Sequence, residues 1–195
     1  MTAAPIVRLS GATPHLDALT DALREVAEQI DRLRRWAGEL ADTLDGGGRL
    51  LAVGNGGSAA QAQHLTAELV GRYCDERRPF SALALHADVS SVTAIANDYG
   101  VDHVFDRQVR AHGRPGDVLL ALSTSGRSGN VVAAVRSARQ RGLRTWALTG
   151  AAPNPLVGAV DDAVVVSSGN TATVQEVHLV VLHLLCEFLD EVVCR

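Results

Sequence analysis

The chain has 195 residues, 18 Lys and Arg against 22 Asp and Glu for a formal net charge of −4, and 47% hydrophobic residues. That length suffices for one well-filled core. The slightly acidic balance, with arginines scattered along the chain, excludes the broad basic field of a nucleic-acid binder.

The first eight residues, Met1 to Arg8, lack the basic start and apolar core of a signal peptide, and no later run reads as membrane-spanning. The expectation is therefore a cytoplasmic protein with no membrane partner. Cys74, Cys186 and Cys194 are odd in number and show no paired metal spacing, so they read as reduced thiols.

In chain order, Leu16, Leu19, Leu23, Val26, Ile30, Leu33, Trp36, Leu40 and Leu44 recur by threes and fours, with Thr13-Pro14 as cap and first turn. This is an apolar helical seam, either one long helix or two that break without a Gly or Pro signal. It is free to pack on its own sheet or across a symmetry axis onto a second subunit. After Gly46-Gly47-Gly48 the pattern becomes short apolar strands alternating with helices. Strands are expected at 50–53, 83–85, 119–122, 145–148 and 163–166, and helices at 59–70, 88–96 and 131–141. Such alternation predicts an α/β, three-layer, doubly wound sheet of five parallel strands with an N-terminal helical extension. The expected organisation is a single domain over 1–195, in which 1–48 form the helical region used in oligomerisation and 49–195 the core.

Two Gly/Ser-rich loops each end a strand and open a helix: Gly54-Asn55-Gly56-Gly57-Ser58 and Ser123-Thr124-Ser125-Gly126-Arg127-Ser128-Gly129-Asn130. Unpaired backbone N–H groups at a helix N-terminus, joined by nearby hydroxyls, suit a phosphate dianion. Either loop alone reads equally well as a polar connection. Two with the same grammar, at the carboxyl ends of parallel strands where ligands of such sheets bind, point to a phosphate-bearing small molecule. Neither has the spacing of a dinucleotide fingerprint or a P-loop.

Downstream of the first loop, His64 and Glu68 lie four apart on one helical face. The last helix carries Gln175, His178 and His183. Gln175 and His183 differ by about 80° around the axis and can share a pocket, whereas His178, about 140° from His183, faces elsewhere and reads as structural. A carboxylate and an imidazole brought together in this way are candidates for general acid-base work.

Together these features resemble the phosphoheptose isomerase family of sugar isomerase (SIS) domains. The resemblance rests on Gly54-Asn55-Gly56-Gly57-Ser58, the His64/Glu68 helix with Gly71-Arg72-Tyr73, Ala96-Asn97-Asp98-Tyr99-Gly100, Ser123-Thr124-Ser125-Gly126 with Ser128, and Gln175-Glu176-Val177-His178 with His183. It implies a flavodoxin-like sheet, a homotetramer with active sites at subunit contacts, and interconversion of sedoheptulose 7-phosphate with D-glycero-D-manno-heptose 7-phosphate. It implies Glu68 as base and His183 as acid, with Asn55, Gly56, Gly57, Ser58, Glu68, Asn97, Asp98, Ser123, Thr124, Ser125, Ser128 and Gln175 holding substrate. It also implies zinc on His64, Glu68, Gln175 and His183, although an amide is an unusual zinc ligand.

The chain departs from the family pattern at Arg127, where Asn is common, at Ala172, where many members carry Asp, and at Ala151-Ala152-Pro153-Asn154-Pro155, which lacks the usual glycines. These departures bear on which sugar is taken. The competing class is a non-catalytic SIS protein, a sugar-phosphate sensor or a scaffold like the branch that binds the replication initiator. That branch resembles an isomerase stripped of its acid and base, both of which this chain keeps.

Overall fold

A computed structural model describes residues 13–194, so the reading of the first eight residues lies outside the described residues. The N-terminal seam forms two helices, α1 (Thr13–Ala27) and α2 (Ile30–Asp45), with the break at Gln29. The cause is a side chain that behaves like an edge strand. Gln29 Nε2 donates to the Val165 carbonyl at 2.9 Å and Gln29 Oε1 accepts from Val165 N–H at 3.3 Å.

Five strands follow: β1 (Leu50–Val53), β2 (Ala82–Ala84), β3 (Val118–Ser123), β4 (Arg144–Gly150) and β5 (Asp162–Val166). All pair in parallel, in the order β2-β1-β3-β4-β5. The intervening helices are α3 (Gly57–Val70), α4 (Val89–Tyr99), α5 (Asp106–His112), α6 (Gly129–Gln140) and α7 (Thr171–Val193). The short α5 and the 3-10 turn Val101–His103 before it carry too few apolar repeats to be predicted from periodicity.

Because side chains alternate across a strand, the central strands feed two cores. Leu50, Ala52, Leu120, Trp146 and Leu148 pack under α2, α3 and α7, while Leu51, Val53, Leu119, Ala121 and Ala147 pack under α5 and α6. The doubly wound sheet covered on both faces is thus as expected. The N-terminal seam is an internal one over most of its length. Leu33, Trp36 and Leu40 are fully buried, and Trp36 stacks on Trp146 with ring centroids 4.7 Å apart. Leu16, at 56% exposure, is not part of this core.

The expectation that no run reaches membrane-spanning length needs correction. Helix α7 is long and apolar enough, by length and composition. Its apolarity has an internal use: it carries Val177, Val181, Leu182, Leu185 and Leu189 into the core against α2, and 56% of its apolar stretch is buried.

Candidate active site

The order of the strands reverses between β1 and β3, and the crevice outside the carboxyl ends of these two strands is the usual ligand site of such a sheet. Both Gly/Ser loops lie there, since residues 54–56 leave β1 for α3 and residues 124–128 leave β3 for α6. They are joined directly. Asn55 Nδ2 donates to Asn130 Oδ1 at 2.9 Å and Asn130 Nδ2 donates to Asn55 Oδ1 at 3.0 Å.

Two glycines are fixed by close approach. A Cβ on Gly57 would lie 2.6 Å from Gln175 Nε2, so the helix start accepts the Gln175 carboxamide only without a side chain. Gly126 has φ +61°, and a Cβ there would overlap the Asn154 side chain. Asn154 in turn accepts from the N–H groups of Leu156 and Val157 at 3.1 and 3.0 Å, so the glycine-poor connection after β4 braces the second loop.

Within that loop the Ser123 and Ser128 hydroxyls are 3.2 Å apart, and Ser125 Oγ accepts from Arg127 N–H at 3.2 Å. Ser123 is buried, Thr124 and Ser128 are half-buried, and Ser125 and Arg127 are exposed, so donors are graded from the floor of the loop to its rim. In the first loop Asn55, Gly56 and Gly57 are exposed, while Ser58 is buried as α3 begins.

The acid-base candidates meet where α3 faces α7. His64 Nε2 and His183 Nε2 are 2.9 Å apart, and His64 Nε2 is 3.5 Å from Glu68 Oε1. One imidazole must therefore donate to the other, with Glu68 beside the pair. Tyr73 stacks on His183, ring centroids 5.7 Å apart, and burial followed by the nearby Cys74 and Glu187 pushes its phenol up from the ordinary value. One helical turn before His64, Gln61 Nε2 donates to the Gln175 carbonyl at 2.5 Å, and Gln61 Oε1 is buried without a partner. Gln175 and His183 both face α3, as their angular spacing requires.

His178 faces the opposite way. It is fully buried, neither ring nitrogen meets a partner in hydrogen-bond geometry, and burial holds its pKa down at about 4 against a weaker opposing effect of the Thr149 backbone. Asn97 and Asp98 sit on the last turn of α4, exposed and bonded to each other at 2.8 Å. No bond joins them to either loop among the described residues. Sequence reasoning gave no role to Asn130 or Tyr73. Asn130 closes the second loop as an ordinary amide in the first turn of α6, and only its reciprocal bond with Asn55 distinguishes it.

Two imidazoles and a carboxylate are donor types that zinc accepts. The two ring nitrogens approach the separation of about 3.3 Å expected for ligands of one tetrahedral ion at bonds near 2.0 Å. No group of three His, Cys, Asp or Glu side chains arranged to hold a metal occurs among the described residues. The three cysteines are free thiols, and burial first, then the charge of Glu68, pushes the Cys186 thiol up to about 12. A cleft of about 710 Å³ lies at the opposite, amino ends of β4 and β5. Both of its lining arginines are paired with carboxylates of the same cleft, Arg35 with Asp162 and Arg144 with Glu39, so neither is free to recognise a phosphate.

Comparison with known proteins agrees with this geometry. Residues 15–150 match the SIS domain family. The phosphoheptose isomerase of Streptomyces coelicolor is 62% identical over 176 residues, covering 90% of this chain and 76% of that protein. Among solved structures, the phosphoheptose isomerase of Neisseria gonorrhoeae superposes with a TM-score of 0.87 at 39% identity, over 94% of this chain and 98% of that one. The enzyme of Francisella tularensis gives 0.88 at 34% identity, over 95% and 100%. The chain belongs to the phosphoheptose isomerase family of SIS-domain proteins.

Proposed function

We propose that the protein is an aldose-ketose isomerase that interconverts sedoheptulose 7-phosphate and D-glycero-D-manno-heptose 7-phosphate. The observation that carries this reading is the convergence of Glu68, His64 and His183 from two helices, beside the crevice formed by two loops rich in phosphate donors. The phosphate is assigned to residues 123–125 and Ser128, and the sugar hydroxyls to Asn55, Gly56, Gly57, Ser58, Gln175, Asn97 and Asp98.

Starting from the ketose, the Glu68 carboxylate takes a proton from C1 while His183 supplies a proton to the C2 oxygen, which leaves a neutral enediol. The C1 hydroxyl then returns a proton to His183 as Glu68 gives its proton to C2, and the aldose forms with both side chains back in their starting states. His183 is half-buried, and the Tyr73 ring stacked on it supports this use by helping to hold the imidazole in place.

The same reading gives zinc to His64, Glu68, Gln175 and His183, supported by the two imidazoles and the carboxylate among them and by the close ring nitrogens; Glu68 and His183 would have to loosen from the ion when substrate arrives in order to act as base and acid. A zinc ion supplies polarisation of the substrate carbonyl when bound. A homotetramer with shared sites is supported by the exposed apolar side chains Leu16, Val89, Tyr99 and Val101, which need cover. The cytoplasm, where sugar phosphates are made and consumed, is the assigned compartment.

Purified protein incubated with sedoheptulose 7-phosphate tests the function. Formation of the aldose is expected, and its absence in folded, zinc-supplemented protein rejects the assignment. A non-catalytic sensor or scaffold is not favoured, since the match to isomerases extends over most of both chains.

A further inference from the structure

Arg77 lies outside both loops and outside the proposed acid-base group, yet its side chain is 3% exposed. A guanidinium so buried requires acceptors for its donors. Nη2 donates to the carbonyl of Glu68 at 2.7 Å and Nη1 to the carbonyl of Leu69 at 3.0 Å, while Nε donates to Asp190 Oδ1 at 3.0 Å. Asp190 is itself 5% exposed, and its second oxygen accepts from Cys74 N–H at 3.4 Å. The guanidinium also lies over the Phe80 ring, 4.8 Å from its centroid.

The last carbonyls of a helix have no partner within it and form its negative end. Arg77 takes two of these carbonyls at the end of α3, and one of them belongs to Glu68. Asp190 stands two turns beyond His183 on the same side of α7, because seven residues return to within about 20° of the starting angle. One buried ion pair therefore ties the turn that carries Glu68 to the helix that carries His183, and Tyr73, in the segment between α3 and Arg77, stacks on His183.

We propose that Arg77 and Asp190 are positioning residues, a clamp that sets the spacing of Glu68 against His183. This rests on the reading of those two groups as base and acid. Neither clamp residue is placed in contact with substrate. Its chemistry is specific to arginine: a lysine ammonium keeps the charge but lacks the planar fork that reaches two carbonyls and a carboxylate together.

Exchanging a buried ion pair for apolar residues of similar volume is often neutral for stability, which lets positioning be separated from folding. The test compares the full-length wild type with the double variant Arg77→Met/Asp190→Leu and with the single variants Arg77→Lys and Asp190→Asn. Each is assayed with sedoheptulose 7-phosphate and examined by nitrogen NMR of the histidine rings. The double variant and Arg77→Lys are expected to fold and to lose about tenfold to a hundredfold in kcat at nearly constant KM, since the phosphate loops are untouched. The His64 and His183 ring signals shift in these variants, while those of His178 stay in place.

A folded double variant with kcat within twofold of wild type, or with unshifted His183 signals, overturns the clamp. So does a KM rising in proportion to the loss, or failure of all three variants to fold, which would mark the pair as purely structural. If the wild type does not isomerise the sugar phosphate, it is the proposed function that fails, and the ring signals alone then decide the clamp.

Discussion

Asn55 and Asn130, 75 residues apart, exchange two hydrogen bonds of 2.9 and 3.0 Å and so lock together the two loops that flank the reversal of strand order. Asn130 Oδ1 also accepts from Val131 N–H at 2.9 Å, which ties the pair to the first turn of α6. Asn130→Ala removes both bonds and leaves the exposed Asn55 to water. The expected result is a folded protein, destabilised by about 1–2 kcal/mol, with KM raised several-fold and kcat little changed. Thermal melting with steady-state kinetics checks it, and an unchanged KM would separate the loop lock from substrate binding.

Glu68→Gln keeps the shape of the side chain and deletes the base. The expected loss in kcat is on the order of a hundredfold or more, with the fold retained because Glu68 is half-buried and, among the described residues, pairs only with its neighbour His64. His183→Gln is expected to lose as much. Removing the donor hydroxyl in Ser123→Ala or Thr124→Ala acts instead on a group distant from the reacting carbons, so KM rises while kcat holds. Calorimetry on the same proteins gives the affinity directly.

The positions that were legible in the sequence are those whose chemistry is local. Strand alternation, the Gly/Ser turns and the i, i+4 pair of His64 and Glu68 can be read from a few neighbouring residues, and the structure places them on β1, β3 and α3 as expected. The angular separation of His178 from His183 was also readable, because it depends only on helix geometry. What stayed hidden depends on contacts across long separations. The break at Gln29 is made by Val165, and the role of Asn130 by Asn55. The value of Arg77 comes from Asp190, 113 residues later, and nothing in the local run Glu76-Arg77-Arg78 distinguishes it from a solvated arginine.

His178 predicts a pH dependence of stability. Its folded pKa of about 4 lies below the ordinary 6.5, so the unfolded chain takes up a proton first as pH falls. The linked stability is fully present above about pH 6.5 and is lost on descending from there towards pH 4, up to about 3 kcal/mol for a shift of this size. His178→Met has nothing to protonate and gives up only the weak effect of the Thr149 backbone, since neither ring nitrogen makes a bond that meets the geometry. The variant is expected to melt less steeply with falling pH than the wild type over that interval while keeping kcat within a few-fold. Parallel melting curves in the two proteins would contradict it.

Helix α4 has no buried residue in the described chain, and it presents Val89 at 70% and Tyr99 at 52% exposure, with Val101 just beyond it at 64%. The N-terminal helices, by contrast, spend Leu33 entirely inside the chain, so Leu33→Glu tests folding: a carboxylate in that core costs several kcal/mol and is expected to yield unfolded protein. The oligomer is better tested from outside the core. Val89→Glu with Val101→Glu changes only exposed side chains, and the double variant should remain folded by circular dichroism. If this surface is covered by a second copy, light scattering will show the proposed tetramer in the wild type and smaller species in the variant, since each change places a charge in an apolar contact. Activity should fall with the assembly, because α4 also carries Asn97 and Asp98, which make no bond to the loops of their own subunit among the described residues. A monomeric wild type with full activity would defeat the shared site, and so would a dissociated variant that turns over substrate at the normal rate.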